Sequence, residues 1–147
     1  MLRNILIRVT FSTCQALGKY CPKLQRLDLS SCSEITDLSL KALADGCRAL
    51  THLNIAWCEN ITQNGKLFHQ FCFLLFTFYL CLIITYSSGV EALARGCPKL
   101  RSFMCSGCTQ VNDAAVSVLA ANCPSLEVVN LFGCNVSLFI SFLSENN

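Results

Sequence analysis

Charge is scarce in this chain. Aspartate, glutamate, lysine and arginine make up 14% of its 147 residues, and the net charge is +2. Gripping nucleic acid or an anionic membrane surface takes a dense basic field, which this composition excludes. Histidine is scarcer still, with only His52 and His69. His69 lies in a stretch of foreign composition described below, so no Ser-His-Asp or Cys-His nucleophile system can be assembled around His52 alone. Glycine-rich phosphate loops are missing. No hydrophobic stretch ending in a cleavage-type site opens the chain, so no secretion signal is expected. The acid-free start, with Arg3, Arg8 and Lys19, imitates a transit peptide but reads more simply as the cut edge of a larger array. These absences leave an expectation of no enzyme, no cofactor and no metal.

Apolar residues and cysteine are abundant instead. Hydrophobic residues account for 53% of the chain, and twelve are cysteine. A chain this long can bury a core without disulfide staples, so cysteine spacing decides what the cysteines are. Cys21 and Cys47 are 26 residues apart, as are Cys32 and Cys58, Cys97 and Cys123, and Cys108 and Cys134. Two interleaved tracks with one period mean a repeat, and a period in the twenties points to leucine-rich repeats. Leu24, Leu27, Leu29, Cys32 and Ile35 recur as Leu50, Leu53, Ile55, Cys58 and Ile61, then as Leu100, Phe103, Cys105, Cys108 and Val111. Leu27-Asp28-Leu29 alternates in, out, in, as a strand does. Thr36 and Asp37 supply a helix start, Leu40 and Leu43 its buried face, and Gly46 its stop.

Strands are therefore expected near Arg26–Leu29, Leu53–Ile55, Phe103–Cys105 and Val129–Leu131. Helices are expected near Leu38–Asp45, Val90–Arg95 and Asp113–Ala121. The organisation is one partial solenoid over 1–147. A half repeat spans 9–20, followed by repeats at 21–46, 47–96 and 97–122. A truncated repeat at 123–135 and a divergent tail at 136–147 complete the chain.

The stretch CPKLQRLDLSSCSEITDLSLKALADGC resembles the cysteine-containing leucine-rich repeat of F-box/LRR proteins, over roughly residues 9–65 and 89–135. The resemblance implies a right-handed α/β solenoid with parallel strands on the concave face and helices outside. It also implies substrate recognition for an SCF-type E3 ubiquitin ligase, in the cytoplasm or else the nucleus. No F-box is visible in these residues, so the SCF adaptor enters only through a longer chain that carries one. A membrane-tethered repeat protein and a repeat scaffold unrelated to ubiquitin are the alternatives.

One repeat is too long. Cys47 to Cys97 and Cys58 to Cys108 are each 50 residues, one period plus 24. Removing 66–89 restores the phase and sets Val90 where Leu40 stands. That segment is rich in Phe and Leu, and its uncharged run over 67–86 is long enough to span a membrane. The alternative is a retained intron. Phe, Leu, Ser and Tyr are what pyrimidine-rich codons encode, Gly65-Lys66 can carry a donor-like GTAAG, and Ser88-Gly89 an acceptor-like CAG in the same phase. The intron is the preferred reading. Val136-Ser137 permits a weaker donor-like reading at the other end; a short apolar cap is its alternative.

Function falls to the side chains pointing out of the strands. Arg26, Asp28, His52, Asn54, Trp57, Met104, Asn130 and Phe132 form a mixed aromatic, apolar and polar row of the kind that binds protein. Cys105 and Cys108 have CxxC spacing, but each falls on a repeat track, so they are expected to be core and ladder cysteines and not a zinc or redox pair.

Overall fold

A leucine or phenylalanine flanked by outward residues cannot bury itself in a three-residue strand, so these strands form only by stacking. The computed structural model describes residues 9–62 and 88–137. Helix α1 (Phe11–Tyr20) leads into strand β1 (Arg26–Asp28), followed by α2 (Asp37–Gly46) and β2 (His52–Asn54). Then come α3 (Gly89–Gly96), β3 (Ser102–Met104), α4 (Asp113–Asn122) and β4 (Val128–Asn130). The four strands make one parallel sheet in chain order, with Leu27 beside Leu53, Leu53 beside Phe103, and Phe103 beside Val129. This is the expected α/β solenoid.

Strands β2 to β4 begin one residue earlier than the alternation of the sequence suggests. The reason is in the ladder. His52 N–H already donates to Gln25 O (2.9 Å), and bonding runs on past the strand through Ile55 N–H to Met104 O (2.8 Å). Trp57 N–H to Ser106 O (2.7 Å) extends it further.

Leu29, Leu40, Leu43, Leu50, Leu53, Ile55, Phe103 and Leu119 sit in one continuous core between sheet and helices. Gly46 is the last residue of α2 and not its terminator; the cap is Cys47, whose N–H returns to Leu43 O. Gly46 is needed for a different reason, since a Cβ there would overlap the backbone of Gly18 in α1. The first cysteine track, Cys21, Cys47, Cys97 and Cys123, caps the C-termini of α1 to α4 in turn.

The long repeat does not disturb the stack, because β2 and β3 pair in the same register as their neighbours. Residues 63–87 lie outside the described residues, and with them the candidate span over 67–86. Among the described residues, no helix is long and apolar enough to cross a membrane. On either side of the interruption, one carboxylate holds both flanks. Asp37 in the first turn of α2 accepts from Thr62 N–H (3.2 Å), Thr62 Oγ1 (2.6 Å) and Gly89 N–H (2.9 Å). Burial raises the pKa of Asp37, against the opposing pull of these hydrogen bonds. Asp113, the first residue of α4 as Asp37 is of α2, makes the matching clasp, where Ser137 N–H (2.9 Å) and Ser137 Oγ (2.6 Å) donate to it. Val136, next to Ser137 in the chain, packs half-buried on the core.

Candidate protein-binding face

The outward residues do come together as one row. Strand pairing sets Arg26 beside His52, and Asp28 beside Asn54, Met104 and Asn130 in succession. Arg26, Asp28, Met104 and Asn130 are exposed, while His52 and Asn54 are half-buried. Trp57 is 56% exposed and Phe132 77%. Ser106, which the alternation also points outward, is instead buried; its carbonyl lies under the turn bond from Trp57 N–H.

Three of the polar side chains also have structural duties. Asp28 Oδ1 accepts from Ser30 N–H (2.9 Å), Asn54 Oδ1 from Ala56 N–H (3.0 Å), and Asn130 Oδ1 from Phe132 N–H (3.1 Å). Each closes the turn after its strand, as Asx residues do. Asn54 Nδ2 also donates to Asp28 Oδ2 (3.2 Å), tying two repeats together on the open face. Met104 holds the same register position with an apolar side chain and interrupts this polar line. His52 Nδ1 shares a 2.9 Å hydrogen bond with Thr51 Oγ1, which fixes the ring plane.

Trp57 is the most constrained member of the row. Its φ of 62° is left-handed, a conformation that bulky residues rarely adopt. The corresponding residues in the following repeats are Gly107 and Gly133, both at φ 75°. A Cβ on Gly107 would run into the Trp57 ring, so the indole lies across the glycine of the next repeat. An aromatic side chain held open and seated on rigid backbone presents large contact area at low entropic cost. The left-handed turn and its glycine seat are not visible in alternation alone. The matching phase of Trp57, Gly107 and Gly133 was the available signal.

Beneath the face, the second cysteine track joins each repeat to the one before. Cys58 Sγ donates to Leu29 O (3.1 Å), Cys108 Sγ to Ile55 O (3.2 Å), and Cys134 Sγ to Cys105 O (3.1 Å). Cys32 lies behind β1, the first strand of the sheet, and reaches Ser30 O in its own repeat (3.8 Å). All the described cysteines are free thiols. Desolvation pushes Cys58 up to about 11, and Cys97 and Cys108 up to about 12. These are packing thiols held protonated, not nucleophiles. The CxxC pair divides as the repeat implies, with Cys105 inward and Cys108 on the ladder.

A family profile described as Leucine Rich repeat matches residues 20–44 and 46–65. F-box/LRR-repeat protein 4 of Bos taurus is 29% identical over 127 residues, covering 83% of this chain. The match takes in 20% of that protein, so the chain spans about a fifth of the curated relative's length. With the in-register strand stack and its two cysteine columns, these matches show a run of leucine-rich repeats similar to those of an F-box/LRR-repeat protein.

Proposed function

We propose that the concave row Arg26, Asp28, His52, Asn54, Trp57, Met104, Asn130 and Phe132 binds a protein, and that it selects substrates for an SCF-type ubiquitin ligase. The observation that carries the binding reading is the pair of exposed aromatics, Trp57 and Phe132, on a face whose backbone is fixed by the strand ladder. Large apolar groups held in water on a rigid frame are what interface anchors look like before the partner arrives. The ubiquitin part is drawn from likeness to F-box/LRR-repeat protein 4. The adaptor contact would belong to an F-box in a longer chain. The free thiols suit a reducing compartment and so support a site of action in the cytoplasm or nucleus.

The test is protein turnover in cells carrying the full-length protein. Trp57→Ala with Phe132→Ala should lengthen the lifetime of a small set of proteins, and blocking cullin activation should lengthen the same set. Turnover unaffected by both variants would contradict the ubiquitin reading. A partner still bound through the row but not degraded would leave a scaffold unrelated to ubiquitin.

A further inference from the structure

Each ladder cysteine sits against the residue 29 positions earlier or, across the long repeat, 53 earlier. Those residues are Leu29, Ile55 and Cys105. In the last case alone, a second thiol takes the place of an aliphatic side chain, and the Cys105 and Cys134 sulfurs lie 3.8 Å apart. We propose that Cys105 and Cys134 are a peroxide-responsive dithiol whose disulfide staples β4 to β3 and so stiffens the Phe132 end of the concave row.

The two sulfurs are unequal. Cys105 is buried, whereas Cys134 is half-buried and follows the exposed Gly133. The hydrogen bond to Cys134, together with burial, keeps the proton on Cys105. The hydrogen bond with Cys105 lowers the pKa of Cys134, and Cys134 is the sulfur that a hydroperoxide reaches first because it is the less buried of the two. The chemistry follows the usual thiol ladder. The Cys134 thiolate, having given its proton to solvent, attacks a hydroperoxide. The O–O bond breaks, Cys134 becomes a sulfenic acid, and the departing alkoxide or hydroxide recovers a proton from solvent. Cys105 sulfur then attacks the sulfenic sulfur. Its proton and the sulfenic OH leave as water, and the S–S bond forms. The peroxide takes up two electrons, one from each thiol. Closure requires the sulfurs to move from 3.8 Å to about 2.05 Å.

The stapled residues lie next to the binding row. Cys105 directly follows Met104, and Cys134 is two residues past Phe132. Val128 and Val129 are exposed at this edge of the sheet, where β4 is paired with β3 alone, so a covalent link would add to that one ladder.

The experiment uses the whole 147-residue chain, reduced and then exposed to hydrogen peroxide. Remaining thiols are blocked, and the chain is cut with trypsin and Glu-C to separate Cys105 from Cys134. A dithiothreitol-reversible Cys105–Cys134 link is expected as the dominant product. It should be absent in Cys105→Val and Cys134→Ser and retained in Cys108→Ser. Cys105→Val restores the aliphatic type found at Ile55 and so keeps the fold. Amide exchange over 128–135 should slow by about tenfold on oxidation. A dominant link to Cys108, or no link at all in the wild-type chain, overturns the dithiol. Unchanged amide exchange in the linked protein overturns the stiffening.

Discussion

Phe103 and Val129 hold the same place in successive repeats and pair directly with each other, yet Phe103 is 0% exposed and Val129 41%. Their sequence contexts are equivalent, each inward-facing with a ladder cysteine five residues on. The difference is the neighbour. Phe103 is covered by β2 on one side and β4 on the other, whereas β4 is paired on one side alone in the four-stranded sheet. In a solenoid, the alternation of a strand decides where a side chain points, and the adjoining repeats decide whether it is buried.

The largest effect expected from this difference is on stability. Phe103→Ala should cost about 3–5 kcal/mol through loss of transfer energy and a cavity, while Val129→Ala should cost about 1 kcal/mol or less. Denaturant titrations of the two variants would check this, and equal losses would break the comparison.

Next comes the carboxylate clasp. Asp37 holds Thr62 and Gly89 across the long repeat, whereas among the described residues the Asp113 carboxylate holds the exposed Ser137. Asp37→Ala should therefore cost about 2 kcal/mol and Asp113→Ala less than about 1 kcal/mol. Amide exchange at Gly89 should report the first loss directly.

The inner thiols sharpen the same contrast through pH. The folded pKa values of Cys58 and Cys108, about 11 and about 12, lie above the ordinary thiol value. Folding thus favours the protonated form. That contribution is complete below the ordinary thiol pKa and is lost as pH rises through about 11 to 12. Unfolding free energy followed from pH 8 upward, against a Cys58→Ala, Cys108→Ala double variant, should show a steeper alkaline fall in the wild type.

Much of this architecture was legible beforehand. The 26-residue period, the strand–helix alternation and the outward row all follow from the spacing of Leu27, Cys32, Leu40 and their successors. Strand limits moved by a residue because hydrogen bonding starts at His52 N–H, before the alternation becomes visible. Gly46 looks like a stop in sequence, but its role is to let α1 approach α2. The Asp37 clasp, the Trp57 seat on Gly107 and the Cys105–Cys134 contact were not legible. Each joins residues in different repeats through side-chain direction, which a one-dimensional pattern does not carry.

The smallest structural effect should come from the largest change, deletion of 66–89. Gly65 and Gly89 share one phase, so excision puts a glycine back where a Cβ would overlap Asp37. The strand stack and concave binding should persist, with higher soluble yield. RNA reads joining codons 65 and 90 would match the retained-intron proposal. An unfolded deletion variant would contradict it and make the segment a structural element.

The claim that the concave row is the working surface can be tested by photo-crosslinking in the full-length protein. Benzoylphenylalanine is placed at Trp57 and Phe132 and, as controls, at the exposed helix residues Lys41 and Ser117. Positions Trp57 and Phe132 are expected to capture one and the same partner, while Lys41 and Ser117 capture none. Capture from the helical side, with none at Trp57 or Phe132, would contradict it.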